Sequence, residues 1–300
     1  MKQLVILSGK GGSGKTSVTA AFAHLAATDH YAVSTVLADA DVDAANLELL
    51  LAPQVEERDD FWGGQIAEID QEICARCGDC VEVCRFDAIY EEDGSYWIDP
   101  IACDGCASCV YQCPVDAISM HEQIVGEWYR SKSRYGPLFH AALRPAQENS
   151  GKLVTLVKQR ARLMAMEDDR QLVLVDGPPG IGCLVISAAS GAHLALIVAE
   201  PSSSGAHDMQ RVLQTTNHFG VSSLVCINKA DLYPKGAGEI EAYCRENDIE
   251  VVGNIPFDPA VTEAMVQGEP VTVYSPESPA SQSLREIWIR VLDALEKTPE

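Results

Sequence analysis

Three hundred residues, 47% of them hydrophobic, suffice for one large α/β domain or for such a domain carrying a small insert. Lys and Arg number 22 against 44 Asp and Glu, and a net charge of −22 disfavours a nucleic-acid or anionic-membrane surface unless the cations cluster, which they do not. No apolar run nears the ~20 residues of a membrane span and no cleavage site follows the N-terminal apolar segment, so a cytoplasmic protein is expected.

Leu4-Val5-Ile6-Leu7 suits a buried parallel strand, and Val18 to Ala27 an Ala-rich helix. Between them Gly9-Lys10-Gly11-Gly12-Ser13-Gly14-Lys15-Thr16 matches G-x-x-x-x-G-K-T in the strand–loop–helix context that a P-loop requires. Main-chain N–H groups from Gly11, Gly12, Ser13, Gly14, Lys15, Thr16 and Ser17 are expected to cradle a polyphosphate at the helix N-terminus. Lys15 would reach the β- and γ-phosphates, and the Thr16 hydroxyl would ligate magnesium.

Val33 to Ala38 reads as a second strand, ending in Asp39-Ala40-Asp41-Val42-Asp43. Carboxylates at such strand ends face the ligand crevice of a doubly wound sheet. Asp39 and Asp41 are therefore expected near the phosphates, one orienting the attacking water and the other supporting magnesium, for which Asp39 is the candidate. Asp43 reads equally well as a solvated strand end.

Eight of the eleven cysteines fall between Cys74 and Cys113. Cys74-x2-Cys77-x2-Cys80-x3-Cys84 recurs as Cys103-x2-Cys106-x2-Cys109-x3-Cys113-Pro114, and Asp87-Ala88-Ile89 recurs as Asp116-Ala117-Ile118, an internal repeat offset by 29 residues. Three thiolates at this spacing wrap one corner of a 4Fe-4S cubane, and in two-cluster ferredoxins the fourth cysteine of each run serves the other cluster. The expected ligand sets are Cys74, Cys77, Cys80 and Cys113 for one cluster, and Cys103, Cys106, Cys109 and Cys84 for the second. Structural zinc, which also uses C-x2-C pairs, is the less specific alternative.

These residues resemble a bacterial-type ferredoxin with two 4Fe-4S clusters, departing from it where Arg85 takes the place of proline after Cys84. The surrounding frame resembles the MinD, ParA and Mrp group of P-loop ATPases, to which the nitrogenase iron protein is similar. Their deviant P-loop, K-G-G-x-G-K-[ST], is matched by Lys10 to Thr16. By itself Lys10 reads as a solvated lysine in a loop; the resemblance implies that it crosses a homodimer interface to the partner's phosphates. The resemblance thus implies an α/β P-loop NTPase with a mostly parallel sheet and helices on both faces, residues 1–60 and 126–300. A small inserted ferredoxin-like α+β domain would occupy residues 61–125.

Residues 126–151 are mixed in character; Arg130, Lys132, Arg134 and Lys152 read as scattered surface charge and His140 as structural. A helix is expected from Ser150-Gly151-Lys152 to about Met166. Leu172-Val173-Leu174-Val175-Asp176 then reads as a buried strand whose terminal aspartate would hold magnesium through water. Gly177-Pro178-Pro179-Gly180 resembles the switch II segment of the ATPase group, in which the Gly180 N–H would sense the γ-phosphate. Cys183 reads as a small buried thiol, although the nitrogenase iron protein resemblance makes it a candidate near a bridging cluster.

Leu194 to Ala199 and Leu224 to Ile227 are further buried strands. Asn228-Lys229-Ala230-Asp231 matches the guanine-reading N-K-x-D of GTPases, whereas in the ATPase group the matching asparagine meets adenine; the deviant P-loop favours ATP. Ile255-Pro256-Phe257-Asp258 is expected to wall the base pocket through Pro256. The helix Ser281 to Glu296 carries an apolar stripe of Leu284, Ile287, Trp288, Val291, Leu292 and Leu295 with balanced charges, which reads as core packing and not a membrane anchor. Cys226 and Cys244 read as inert.

The expectation is an ATP-hydrolysing iron–sulfur protein, a homodimer that couples nucleotide to electron transfer through two 4Fe-4S clusters to a redox partner. An Mrp-like assembly or carrier ATPase, serving a metallocofactor partner, is the alternative. The C-terminal C-x-x-C typical of the Mrp group is missing from this sequence.

Overall fold

A computed structural model describes residues 1–28, 32–144 and 151–299. The chain separates into two compact units: Met1–Arg58, Trp128–Ala142 and Asn149–Glu300 form the first, and Asp59–Glu127 with Leu143–Glu148 the second. The elements, in order, are β1 (Lys2–Ser8), α1 (Lys15–Ala26), β2 (Thr35–Asp39), α2 (Leu47–Leu51) and β3 (Gln54–Ile69). Then come α3 (Asp79–Val83), β4 (Ile89–Glu92), β5 (Ser95–Ile98), α4 (Ser108–Gln112), β6 (Ile118–Ser133) and β7 (Gly136–Leu143). The remainder alternates: α5 (Lys152–Glu167), β8 (Leu172–Pro179), α6 (Cys183–Ala189), β9 (Leu194–Ala199), α7 (Ser203–His218), β10 (Ser222–Asn228), α8 (Pro234–Glu246) and β11 (Glu250–Ile255), followed by α9 (Pro259–Gln267), α10 (Val271–Tyr274) and α11 (Pro279–Lys297).

The main sheet runs β11-β10-β9-β1-β8-β2-β7-β6-β3, with the unit boundary falling within β3 and β6 and at the last residue of β7. From β11 through β7 neighbouring strands pair in parallel. Parallel strands covered on both faces are near-continuous apolar runs, as Leu4-Val5-Ile6-Leu7 and Leu172-Val173-Leu174-Val175 are. α1 can lie close to the sheet because Ala20, Ala21, Ala23 and Ala26 present little bulk, and its Phe22 ring meets Trp288 of α11 at 4.8 Å between centroids. Leu284, Ile287, Trp288, Val291 and Leu295 are all buried, so α11 is a core helix. Among the described residues no helix is long and apolar enough to cross a membrane.

Two parts of the first unit depart from expectation. Residues 126–143, mixed in character by sequence, are the end of β6 and all of β7, turning at Gly136 with φ 144°. Their polar alternation is that of strands near a sheet edge, and Arg130 and Arg134 pair with Glu56, Glu57 and Glu269. The strand β8 continues through Pro179, so the segment expected as a switch loop is extended in this state. Ser150, expected to open the next helix, lies outside the described residues; α5 begins at Lys152.

His140 is structural: it is buried, its ring stacks on Tyr129 at 4.9 Å, and its Nε2 lies 2.9 Å from Ser131 Oγ. Burial pushes its pKa down to about 4. The unfolded imidazole, titrating near 6.5, takes up a proton that the folded one refuses, so stability is complete above pH 6.5 and is lost as pH falls toward 4. His140→Gln is expected to flatten the thermal midpoint against pH across that window, removing up to ~3 kcal/mol of acid sensitivity.

The second unit has a small core: Ala67, Ile69, Cys80, Ile89, Cys109 and Ile118 are its buried apolar cluster. A 69-residue segment with two thiols among so few core side chains needs a further staple. β4 and β5 form a hairpin, and α3 and α4 are repeat equivalents. Sixteen Asp and Glu stand against two Arg between residues 59 and 127, so most of the negative charge surplus belongs here.

Candidate functional site

The crevice at the C-terminal ends of the parallel strands holds a broad, open cavity. The loop between β1 and α1 forms its floor through Lys10, Gly11, Gly12, Ser13, Gly14, Lys15, Thr16 and Ser17. Gly12 and Gly14 adopt φ 77° and 94°, which lets consecutive N–H groups turn toward one side. Gly14 is required twice over, since a Cβ there would also collide with Asn228 Nδ2. Ser13 Oγ is buried with no partner among the described residues, as befits a loop that completes its hydrogen bonds on a ligand.

Lys15 is 5% exposed and lies between two carboxylates, 3.0 Å from Asp176 Oδ1 and 3.4 Å from Asp41 Oδ2. Burial pulls its pKa down, but the charges of Asp176, Asp41 and Asp39 outweigh burial and hold the ammonium above its ordinary value. Thr16 Oγ1 donates to Asp176 Oδ2 at 2.8 Å, and Thr19 Oγ1 to Asp176 Oδ1 at 2.9 Å. Lys15, Thr16, Asp41 and Asp176 are thus brought together at one point. Asp41 and Asp176 around one lysine leave a net negative charge beside the Thr16 hydroxyl.

Asp39 stands apart. It is fully buried, does not line the cavity, and spends its oxygens on the N–H groups of Asp41 and Leu47, each at 3.1 Å. Burial pushes its carboxyl well up, Asp176 adds to this, and Lys15 with the two N–H groups only partly offsets it. The strand-end rule located the pair, while the turn into α2 decided that Asp41 faces the cavity and Asp39 shapes the loop. Burial raises the Asp41 pKa too, against the pull of Lys15.

The Gly180 N–H donates to Ser8 O at 2.9 Å, so in this state it is engaged with β1 and not directed at the cavity. Pro178 and Pro179 line the cavity; Pro256 does not, and Val261, Thr262 and Met265 of α9 form that wall instead. Asn228 Nδ2 donates to Ser13 O at 2.7 Å and its Oδ1 accepts from Lys229 N at 3.0 Å. Asp231 lies outside the cavity lining, with Oδ1 accepting from Phe257 N at 2.6 Å.

Glu200, directly after β9, was not singled out by sequence although it obeys the rule that marked Asp41 and Asp176. Its carboxylate meets Lys10 Nζ at 2.5 Å and Lys229 Nζ at 2.6 Å. Cys183, expected to be buried, is exposed as the first residue of α6. Lys158 of α5 fixes the other end of that helix by donating to Ser187 O, Ala188 O and Ser190 O at 2.6–2.7 Å. Cys226 and Cys244 are buried thiols pushed up to about 12 and about 11, which leaves them protonated and inert.

In the second unit two narrow pockets are each lined by four cysteines. Cys103, Cys106 and Cys109 share one with Cys84; Cys74, Cys77 and Cys80 share the other with Cys113. The backbone turns that bring this about recur: φ is positive at Arg76 and its repeat mate Gly105, at Gly78 and Ala107, and at Asp87 and Asp116. Each fourth cysteine accepts an N–H at sulfur, Cys84 Sγ from Ala88 at 3.4 Å and Cys113 Sγ from Ala117 at 3.2 Å. Among the described residues no three His, Cys, Asp or Glu side chains are placed to hold one metal ion.

A parallel sheet, a glycine loop leading into α1, and Lys15, Thr16 and Asp176 in mutual contact define a P-loop nucleotide-binding α/β protein. Residues 4–271 match the CobQ/CobB/MinD/ParA nucleotide binding domain. The chain belongs to that family and is a P-loop ATPase of the MinD/ParA class. It is 34% identical to the uncharacterized protein MJ0578 of Methanocaldococcus jannaschii over 286 residues, 95% of each chain. It is 24% identical to the iron-sulfur cluster carrier protein of Aquifex aeolicus over 127 residues, 38% of this chain and 35% of that one. Its fold is similar to that of the septum site-determining protein MinD of Pyrococcus horikoshii, solved with Mg-ADP, with a TM-score of 0.56, 20% identity, and 99% and 97% of the two chains covered.

Proposed function

We propose that this ATPase is an iron–sulfur protein in which ATP-dependent dimerisation governs electron transfer through two 4Fe-4S clusters to a partner protein. The observation that carries the reading is the crossed lining of the two cysteine cavities: three thiols of one run and the fourth of the other in each. A cubane has its four irons at separate corners, so its thiolates need not converge on one point as ligands of a single zinc must. Bound clusters would supply one-electron carriers and would staple a unit whose own core is small. The Ala88 and Ala117 N–H groups would stabilise thiolate charge at Cys84 and Cys113.

In the nucleotide site the main chain of residues 11–17 and Lys15 would bind the phosphates. Thr16 and Asp176 would hold magnesium, which supplies charge neutralisation at the phosphates. Asp41, facing the cavity, is the carboxylate best placed to orient water, and Lys10 is the residue offered to a second copy of the chain. The engagement of Asp231 by Phe257 and its position outside the cavity support adenine over guanine. The acidic second unit suits a partner with a basic face.

The carrier reading draws support from the partial similarity to the Aquifex aeolicus carrier. Anaerobic purification followed by iron and sulfide analysis, then redox titration with and without Mg-ATP, tests both. About eight irons per chain, retained in the presence of an apo-acceptor, and a potential that moves with nucleotide are expected. Iron passing to the acceptor would replace electron transfer by carriage, and a chain without iron would overturn the reading.

A further inference from the structure

Glu200 follows the last residue of β9, next to β1 in the sheet, and its side chain is 15% exposed. It holds two cations at once. Oε2 is 2.5 Å from Lys10 Nζ, which also donates to Ser202 Oγ at 3.3 Å; Oε1 is 2.6 Å from Lys229 Nζ, which also donates to Gly12 O at 3.3 Å. Ser202 is in turn the N-cap of α7, its Oγ accepting from Gly205 N at 3.1 Å. Burial pushes the Glu200 carboxyl up, but the hydrogen bonds and charges of Lys10 and Lys229 prevail and hold it below the usual carboxylate range. The Lys10 ammonium is therefore seated against β9 and α7 of its own chain.

We propose that Glu200 is a positioning residue: it latches Lys10 in cis in the nucleotide-free chain and so sets the ATP concentration at which Lys10 is released toward a second subunit. This rests on the reading above that Lys10 acts across a dimer. The shared carboxylate makes the latch reversible. When Lys10 leaves, Lys229 remains on Glu200, so no carboxylate is stranded without a partner, and the repulsion between two ammonium groups on one carboxylate is relieved. A polyphosphate held in the loop of the second subunit offers Lys10 the greater negative charge. Were Glu200 instead a strut that braces the loop through Lys229 and Gly12, its loss would weaken ATP binding and the sign of the effect would reverse.

The test uses the full chain carrying Glu200→Gln, which keeps the shape and removes the charge. In nucleotide-free protein, acetic anhydride labelling read by mass spectrometry is expected to rise about two- to fivefold at Lys10, the range of a partly exposed ion pair, with exposed Lys235 as the internal reference. The ATP concentration for half-maximal dimerisation, read by light scattering, is expected to fall by a similar factor. ATP affinity measured in a Lys10→Ala background should be the same with and without Glu200→Gln. Unchanged labelling of Lys10, a raised ATP requirement, or an equal change in the Lys10→Ala background overturns the latch. Wild-type protein that stays monomeric at saturating ATP overturns the dimer reading instead, while the labelling still decides the latch.

Discussion

Lys10→Ala is expected to abolish ATP-dependent dimerisation and hydrolysis while leaving most of the nucleotide affinity. Affinity is expected to reside in the main chain of residues 11–17 and in Lys15, whose ammonium is buried between Asp176 and Asp41 and does not depend on Lys10. Lys10 is a third exposed and its ammonium is held by Glu200 and Ser202, so its removal leaves Glu200 still paired with Lys229. The loss therefore falls on what Lys10 does elsewhere. A cation supplied across an interface to a transferring phosphoryl group contributes roughly 10³-fold or more to turnover. Driving a closed dimer from 1:99 to 99:1 takes ~5.5 kcal/mol of preference for that state, which cross-subunit phosphate contacts would provide. Equilibrium binding of labelled ATP, light scattering and phosphate release measure the three quantities separately. Hydrolysis at the wild-type rate would remove Lys10 from the machinery.

The second large effect is expected from pairs of cysteine substitutions. Cys113→Ser and Cys77→Ser strike one cavity, so together they should remove about four irons of eight, no more than either alone. Cys113→Ser with Cys106→Ser strikes both cavities and should remove nearly all the iron, with the visible absorbance of the clusters. Ligation within each run would reverse the pattern, making Cys113 and Cys106 the non-additive pair. Iron analysis on anaerobically purified protein distinguishes the two, and circular dichroism of the first unit's helices serves as a check that the ATPase fold persists.

Glu200 shows where local reading stopped. It sits at a strand end like Asp41 and Asp176, but its partners Lys10 and Lys229 lie 190 and 29 residues away, so nothing beside it in the chain marks it as an ion-pair centre. Asp39 shows the converse. Two residues from Asp41 and alike in type, it is turned inward because the following turn offers two N–H groups to its oxygens. Cys183 reads as a small buried thiol by sequence, yet it is exposed, because helix α6 begins at it and a helix's first residue has no preceding turn to cover it.

The sequence by itself determined the features that depend on spacing within a few residues. These are the glycine loop with Lys15 and Thr16, the apolar strands leading into it, the two cysteine runs, and the core stripe of α11. Each is local because backbone turns and helical or strand periodicity repeat over short distances. The tertiary structure alone decided which carboxylate faces the cavity, that Gly180 is engaged by Ser8, that α9 and not Pro256 walls the pocket, and that Glu200 holds Lys10. Those outcomes depend on which strands become neighbours: β1 lies between β8 and β9, and that adjacency brings Asp176 and Glu200 to opposite sides of one loop.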